Sequence, residues 1–243
     1  MKKLILLLCF LSYNVQSQYI QSRVLKVKPE NMDKFMSAVE TKTKMYNSKE
    51  GQAQFLTFQI LTGPDAQSFV RMQIANNIGE FDTAVNKEEL DFWWKTTGKL
   101  HEAMGARIWS RNEDASFIPN DAKQVNHRRV LLYKLIPGKE KDFWNYRMRI
   151  VKAFQDAGYT QRVGTVECRS GCDGNWVMIR YWHENFEGEF KDNEVLYPKV
   201  VDSYNKLFGE GSMEYDTQKL RESVSENRVR HLKLLPNLSS PRN

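Results

Sequence analysis

The chain has little cysteine and, after its first residues, no long apolar run. It holds three cysteines in 243 residues, and no later segment reaches the roughly 20 apolar residues that a membrane-spanning helix needs. Short catalytic motifs are missing too, since neither a G-x-S-x-G turn nor a glycine-rich phosphate loop occurs. The segment "HEAMG" (101–105) has Gly105 where a zinc-protease H-E-x-x-H motif needs its second histidine. These absences argue against a membrane-spanning chain, a serine hydrolase of that type, a P-loop enzyme and an H-E-x-x-H protease.

The first 17 residues have the features of a secretory signal. Two lysines precede an apolar run from Leu4 to Leu11, and Val15 and Ser17 stand at the spacing of a cleavage site. We predict a signal peptide over 1–17, with cleavage between Ser17 and Gln18. A lipoprotein anchor at Cys9 is disfavoured, because cleavage there would leave almost no signal. The mature protein is therefore expected to be soluble and exported, to the periplasm or the extracellular space.

The remaining chain, about 225 residues, is long enough for one large domain or two small ones with their own cores. The formal net charge is +6, and loss of Lys2 and Lys3 with the signal lowers it by two. The basic excess is mild and spread along the chain, and we expect no nucleic-acid partner.

Two cysteines remain in the mature chain, Cys168 and Cys172, on either side of "RSG". The apolar and β-branched residues around them predict a hairpin with a three-residue loop, in which Gly171 adopts a positive φ. That loop would bring the two thiols within disulfide reach, and an oxidising compartment favours the bond. A redox or metal-binding use of the C-x3-C pair is the alternative.

The chain repeats itself at an offset of about 107 residues. The segment "RVLKVKPENMDKF" (23–35) parallels "RVLLYKLIPGKEKDF" (129–143). "FVRMQIA" (69–75) parallels "WVMIRYW" (176–182), and "KLHEAMG" (99–105) parallels "KLFGEGS" (206–212). The repeat predicts two copies of one structural unit.

Each copy predicts the order strand, helix, two-stranded hairpin, helix and closing strand, which is the ferredoxin-like βαββαβ arrangement. In the first copy the predicted elements are a strand over 19–28, a helix ending before Gly51, a hairpin of 53–62 with 67–75, a helix over 87–104 and a strand ending at 116–120. In the second copy they are 127–136, a helix ending before Gly158, 160–169 with 174–182, 194–208 and a strand ending at 233–237. The predicted boundaries are thus half 1 over 18–120, a linker over 121–126, half 2 over 127–238 and a tail over 239–243.

A four-stranded sheet with both helices on one face leaves its other face bare, and the second copy can cover it sheet to sheet. In this arrangement the chain resembles the dimeric α/β-barrel superfamily as a tandem fusion. That superfamily includes monooxygenases of the antibiotic-biosynthesis type, heme-degrading monooxygenases and stress-responsive barrel proteins. The resemblance implies an α+β fold in which two ferredoxin-like units form one intramolecular barrel.

The stretch "FWWKTTGKLHEAMG" (92–105) supplies the candidate site. At helical spacing His101 lies on the apolar face with Trp93, Trp94, Thr97 and Met104. In the resembled enzymes the pocket lies between this helix and the sheet, where a histidine can bind heme iron. Heme is thus a cofactor the resemblance allows, although the first strand has no asparagine like that of the heme-degrading members. The alternative is a core histidine bonded to a backbone carbonyl, with the tryptophans as core filling.

The remaining histidines are scattered along the chain at 127, 183 and 231. The segment "WHENFEGEF" (182–190) places His183 near several glutamates, and these residue types could bind a metal ion. An ordinary polar loop is the favoured interpretation, and we predict no metal site. The resulting functional hypothesis is an exported barrel that holds a small hydrophobic or aromatic ligand and acts as a monooxygenase. The alternatives are a non-catalytic binding or stress-response protein of the cell envelope and a structural partner there.

Overall fold

Strands that are buried on both faces build this structure. In the strand of residues 127–135, Val130 and Leu132 face one apolar core while Leu131 and Tyr133 face another. Such a strand reads as a nearly continuous apolar run, because neither face meets water. The computed structural model describes residues 19–83 and 86–242, so the predicted signal peptide lies outside the described residues.

The first half contains four strands and two helices. They are β1 (Tyr19–Val27), α1 (Met32–Tyr46), β2 (Gln54–Ile60), β3 (Phe69–Ala75), α2 (Lys87–Thr96) and β4 (His101–Phe117). The second half contains β5 (His127–Leu135), α3 (Glu140–Asp156), β6 (Val163–Ser170), β7 (Trp176–His183), α4 (Phe186–Val195), α5 (Tyr197–Phe208), α6 (Ser212–Glu222) and β8 (Val224–Leu234). Among the described residues, no helix has the length and apolar character needed to cross a bilayer.

All eight strands form one closed barrel in the order β4-β1-β3-β2-β8-β5-β7-β6, with β6 returning to β4. Within each half the order is fourth, first, third, second, which is the ferredoxin-like order predicted from the repeat. Two antiparallel seams join the halves: β2 pairs with β8, as in Phe58 opposite Leu234, and β4 pairs with β6, as in Trp109 opposite Cys168. The fold class expected from the sequence is confirmed.

Three apolar cores follow from this closure. The barrel interior contains residues from both halves, among them Phe58, Trp109, Val130 and Trp176. Two outer cores lie between a sheet and its helices, one in each half. Helices α1 and α3 each bury one phenylalanine completely, Phe35 and Phe143.

The predicted helix over 87–104 is wrong in its last turns. Helix α2 ends at Thr96, where the Thr97 N–H bonds the Trp93 carbonyl as a C-cap. β-Branched threonines and Gly98 are weak helix formers, and a Cβ on Gly98 would lie 2.6 Å from the Trp94 ring. Residues from His101 onwards pair with β1 instead.

The predicted helix over 194–208 corresponds to α5 (Tyr197–Phe208), but α4 before it and α6 after it were not predicted. Pro198 stands in the first turn of α5 and separates it from α4. Gly209 and Gly211 have φ values of 106° and 74° and form the turn before α6. Proline fits a first turn and glycine fits positive φ, so both breaks follow from local chemistry.

The repeat was aligned one residue out of register at the third strand. Phe69 lies in the outer core of the first half, whereas Trp176, its predicted match, lies in the barrel interior. Val177 faces the helices and is the true equivalent of Phe69. A shift of one residue reverses the face of every side chain in a strand. The match of 99–105 with 206–212 is likewise wrong, since one begins a strand and the other ends a helix.

The disulfide between Cys168 and Cys172 is confirmed, and Gly171 has a φ of 78°. The loop is longer than the three residues predicted, because β6 ends at Ser170 and β7 begins at Trp176. The bond therefore closes the turn rather than bridging opposite strands.

The C-terminal segment returns to the first half. Leu238 lies in the outer core beside Phe35, and its carbonyl accepts hydrogen bonds from Thr57 and Arg71. Ser239 and Ser240, in the predicted tail, are buried. Their hydroxyls accept the N–H groups of two β2 residues.

Separating the halves between Asp121 and Val125 is expected to give two fragments that are insoluble alone and recover when co-expressed. Each fragment would expose the apolar interior face of its sheet and two unpaired edge strands. Solubility and size-exclusion profiles of each fragment and of the pair are the measurement. A single fragment that is monomeric and unfolds cooperatively would contradict the shared barrel core.

Candidate functional site

The residue predicted as catalytic, His101, begins β4 and packs in the outer core of the first half. Its ring lies 5.6 Å from that of Phe35 and 5.3 Å from that of Trp93. Its Nδ1 is 2.8 Å from the Thr97 carbonyl oxygen. Burial lowers the pKa of His101, although the Thr97 carbonyl opposes that change. These are the contacts that the core-histidine alternative describes.

The four residues predicted to bind ligand beside His101 do not surround a common space. Thr97 is buried and Trp93 packs against the outer core, while Trp94 and Met104 are 60% and 48% exposed. None of the five lines the large cavity of the second half. Their role in binding stays a prediction.

A cavity of about 680 Å³ lies in the second half, between α3, α5 and α6 and the outer face of β5, β7 and β8. This volume is in the range of small-molecule sites. On β5 the alternate residues Arg129, Leu131 and Tyr133 face it, and on α3 Tyr146, Arg147 and Ile150 do so. The pocket predicted from the sequence also lies between helix and sheet, but in the first half.

Phenol groups dominate the cavity wall, with five tyrosines: Tyr133, Tyr146, Tyr159, Tyr181 and Tyr197. Burial raises the pKa of Tyr133 to about 12. Burial also raises the pKa values of Tyr146, Tyr159 and Tyr197. These hydroxyls are therefore neutral near pH 7, able both to donate and to accept hydrogen bonds.

One buried cation, Arg147, stands at the base of the cavity. Its side chain donates hydrogen bonds to the Tyr181 hydroxyl at 3.2 Å and the Ala115 carbonyl at 3.4 Å. Its Nε is buried without a hydrogen-bond partner. A buried guanidinium beside phenols suits a ligand that combines an aromatic surface with a partly or fully anionic oxygen.

The first half fills the corresponding space with apolar side chains. Val39 follows Phe35 by four residues on α1, as Arg147 follows Phe143 on α3, so Val39 stands where the second half has its arginine. Val39 packs with Leu25, Phe69 and Leu238, the last supplied by the C-terminal segment. The two halves share a fold, but the space between helix and sheet is packed at this position in the first half and is an open cavity in the second.

Three of the chain's four histidines meet at one end of the same outer face. His127, His183 and His231 lie on β5, β7 and β8, and β5 pairs with both neighbours. Glu189, in the first turn of α4, points at them. Its Oε2 is 3.4 Å from His127 Nε2 and 3.0 Å from His231 Nε2.

The surroundings of this histidine cluster (His127, His231 and Glu189) are apolar on one side and charged on the other. The Phe186 ring lies 4.6 Å from that of His127 and 4.9 Å from that of His231. Burial alone would raise the Glu189 pKa, but the adjacent His127 and His231 lower it to about 2. His183, whose pKa burial lowers, pairs with Asp192 at 2.9 Å.

Neither the cavity nor the histidine cluster was predicted from the sequence. The histidines looked scattered because their proximity depends on strand order, which brings positions 127, 183 and 231 onto three adjacent strands. One local signal was available: residues 127, 129, 131 and 133 alternate on one face of β5, so a histidine and an arginine share the face that floors the cavity.

Solved structures provide the comparison. The chain is 14% identical to a protein of Fusobacterium nucleatum subsp. nucleatum ATCC 25586 whose name assigns it as a monooxygenase, with a TM-score of 0.63 over 90% of this chain and 93% of that one. It is 9% identical to an anthrone oxidase-like protein, with a TM-score of 0.56 over 91% and 93%. It is 10% identical to the chlorite dismutase of Candidatus Nitrospira defluvii, with a TM-score of 0.54 over 91% and 93%.

No protein-family model matches the chain, and no curated protein matches it significantly. At these identities the likeness concerns the fold. Together with the strand order, it confirms that the chain has the dimeric α/β-barrel fold, with both ferredoxin-like units in one polypeptide.

Replacing His101 with phenylalanine is expected to lower stability by only about 1 kcal/mol, because one ring replaces another and one hydrogen bond is lost. Thermal unfolding of wild type and variant measures this. Titration with heme tests the other interpretation, since a heme ligand at His101 would give the wild type a Soret shift that the variant lacks.

Replacing Tyr133 with phenylalanine is expected to reduce the alkaline loss of stability. The raised pKa, about 12, means that the unfolded chain releases this proton first, near pH 10, so stability is fully present below pH 10 and falls as the pH rises toward 12. At pH 11 the variant should lose about 1.4 kcal/mol less than wild type. Urea unfolding at pH 8 and pH 11 provides the comparison, and equal losses would contradict it.

Proposed function

We propose that the mature chain is an exported small-molecule-binding protein of the dimeric α/β-barrel fold, with monooxygenase-like activity on an aromatic ligand held in the second-half cavity. The observation that carries the proposal is the combination of a cavity of about 680 Å³, five tyrosines and a buried arginine. Export rests on the sequence features of residues 1–17.

The tyrosine-lined wall favours a flat aromatic ligand. Aromatic rings stack on one another and gain about 0.5–1.5 kcal/mol beyond the burial of their area. Neutral hydroxyls around the ring edge can donate to, or accept from, oxygen substituents. An aliphatic ligand would leave most of these hydroxyls without partners, which buried polar groups do not tolerate well.

Arg147 is the residue we assign to charge recognition. A phenolate or enolate oxygen at the base of the cavity would replace the missing partner of its Nε and share its positive charge. Charge-assisted hydrogen bonds are roughly twice as strong as neutral ones. By favouring the anion of the bound ligand, Arg147 would promote the ionised form that reacts with oxygen in cofactor-free monooxygenases of this superfamily.

Anthrone is the first substrate to test, since one structural neighbour is named anthrone oxidase-like. Its oxidation by one O2 gives anthraquinone and one water, so oxygen uptake and product absorbance should match in amount. Protein-dependent uptake above the spontaneous rate supports the enzyme. Saturable binding without uptake supports the alternative, a binding protein.

The decisive variant is Arg147→Met, which keeps an unbranched apolar stem but removes the guanidinium group and its charge. We expect the affinity for anthrone, bound as its enolate, to fall about 10- to 100-fold, the worth of a hydrogen bond to a charged group. The matched control is Arg149→Met on the same helix, because Arg149 pairs with Asp216 at 2.8 Å and does not line the cavity.

Fluorescence titration with anthrone and mass spectrometry of co-purifying molecules supply the measurements. If Arg147→Met binds as tightly as Arg149→Met, the cavity is not the ligand site.

A further inference from the structure

Glu189 brings two imidazole rings and a carboxylate together in a buried place. His127 and Glu189 are 5% and 8% exposed, and one ligand atom from each of His127, Glu189 and His231 lies within 4.8 Å of the other two. Two imidazoles and one carboxylate form the ligand set of several catalytic zinc sites and of non-heme iron sites.

Two atoms of this set have no hydrogen-bond partner within it. His127 Nε2 and Glu189 Oε2 are both buried and both lack a hydrogen-bond partner, although they lie only 3.4 Å apart. His231 Nε2 lies 3.0 Å from the same oxygen, but its hydrogen bond is with Oε1, at 3.3 Å. A buried polar atom left without a partner costs about 1–3 kcal/mol, so the cluster lacks an interaction.

The spacing fits a shared metal ion. Zinc lies about 2.0–2.1 Å from imidazole nitrogen and 2.0–2.2 Å from carboxylate oxygen, which places tetrahedral ligand atoms about 3.4 Å apart. The two separations to Oε2, 3.4 and 3.0 Å, lie at or slightly below that value. Small side-chain shifts would admit an ion.

The next shell of residues is also arranged for a metal. His231 Nδ1 is 3.1 Å from Thr62 Oγ1. If Nδ1 carries the proton and donates it to this hydroxyl, the lone pair is left on Nε2, as metal-binding histidines require. The other oxygen of Glu189, Oε1, has His231 Nε2 at 3.3 Å and Arg129 Nε at 3.7 Å, so Oε2 is the oxygen that has no hydrogen-bond partner and would bind the ion.

We infer that His127, Glu189 and His231 form a binding site for a divalent first-row transition metal. Three protein ligands leave at least one coordination position open. Arg129 and His183, which adjoin this site, also line the large cavity, so the metal site borders the space proposed for the aromatic ligand. The inference goes beyond the proposed function, and metal binding can be measured with no ligand or oxygen present.

The test uses untagged mature protein stripped of metal with a chelator. Titration with Zn2+ by calorimetry should give one ion per chain, and Co2+ should give visible absorption bands from a nitrogen- and oxygen-coordinated ion. Glu189→Gln and His231→Gln should each weaken binding at least 100-fold. Thr62→Val, which removes only the hydroxyl partner, should weaken it about 10- to 100-fold.

Two controls separate the site from general surface binding. Glu184→Gln removes an exposed carboxylate five residues before Glu189, and His101→Phe removes the histidine of the first half. Both should bind Zn2+ like wild type. Circular dichroism melting of each metal-free variant checks folding, and a variant that does not unfold cooperatively is replaced by His127→Asn.

Absence of stoichiometric binding by wild type to Zn2+, Co2+, Mn2+ and anaerobic Fe2+ would overturn the inference. So would binding that survives in both Glu189→Gln and His231→Gln. Either result would make the cluster an ion pair within the fold. Arg147→Met should bind Zn2+ normally, so failure of the metal site and failure of the ligand cavity give different results.

Discussion

Closure of the barrel is the constraint on which the rest of the structure depends. The interior core takes six buried residues from the first half and seven from the second, so neither sheet can cover its inner face alone. At about 1.5–3 kcal/mol per buried large side chain, exposing one such face would cost about 10 kcal/mol or more. That is comparable to the whole stability of a typical domain. The two seams therefore make one folding unit from two repeats.

Closure also decides where functional groups can lie. Inward-facing residues fill the barrel, so chemistry must use the outer face, between sheet and helix. Arg129 and Tyr133 occupy that face of β5, and His127 continues it to the strand end. The cavity and the histidine cluster are thus parts of one surface. Helices α3, α5 and α6 cover the cavity, and α4 covers the histidine cluster.

The sequence was sufficient for the features that depend on local chemistry. The order of the strands, the positive φ at Gly171 and the disulfide all follow from neighbouring residues. The sequence was insufficient where the structure depends on pairing between segments that lie far apart in the chain. Residues 101–104 fit a helical apolar stripe, yet they pair with β1 because that sheet needs a fourth strand, and tertiary pairing overrides weak propensity. This placed His101 on the wrong element.

The candidate sites could not be read from the sequence for the same reason. Residues 127, 189 and 231 become neighbours only through the order β7-β5-β8 and the position of α4. The alignment of the two repeats was also wrong at the third strand, where a shift of one residue exchanges the inner and outer faces of the strand. The alignment of Phe35 with Phe143 already places Arg147 on α3 where α1 has Val39, and this is the local sign that the second half differs.

That asymmetry is the clearest link from structure to function. In the first half, Leu238 from the chain's own C-terminal segment fills the outer core, and its carbonyl satisfies the buried Arg71. In the second half, Arg147 has an unpaired nitrogen and the space above it stays open. A buried charge with an unsatisfied donor costs free energy, and a stable fold would gain by losing it. The Nε atoms of Arg128, Arg129, Arg162 and Arg180 are buried without a partner as well, so what supports a ligand at Arg147 is the combination of its full burial with the open cavity beside it. In the proposed function a ligand supplies the missing partner, as the C-terminal segment does for Arg71.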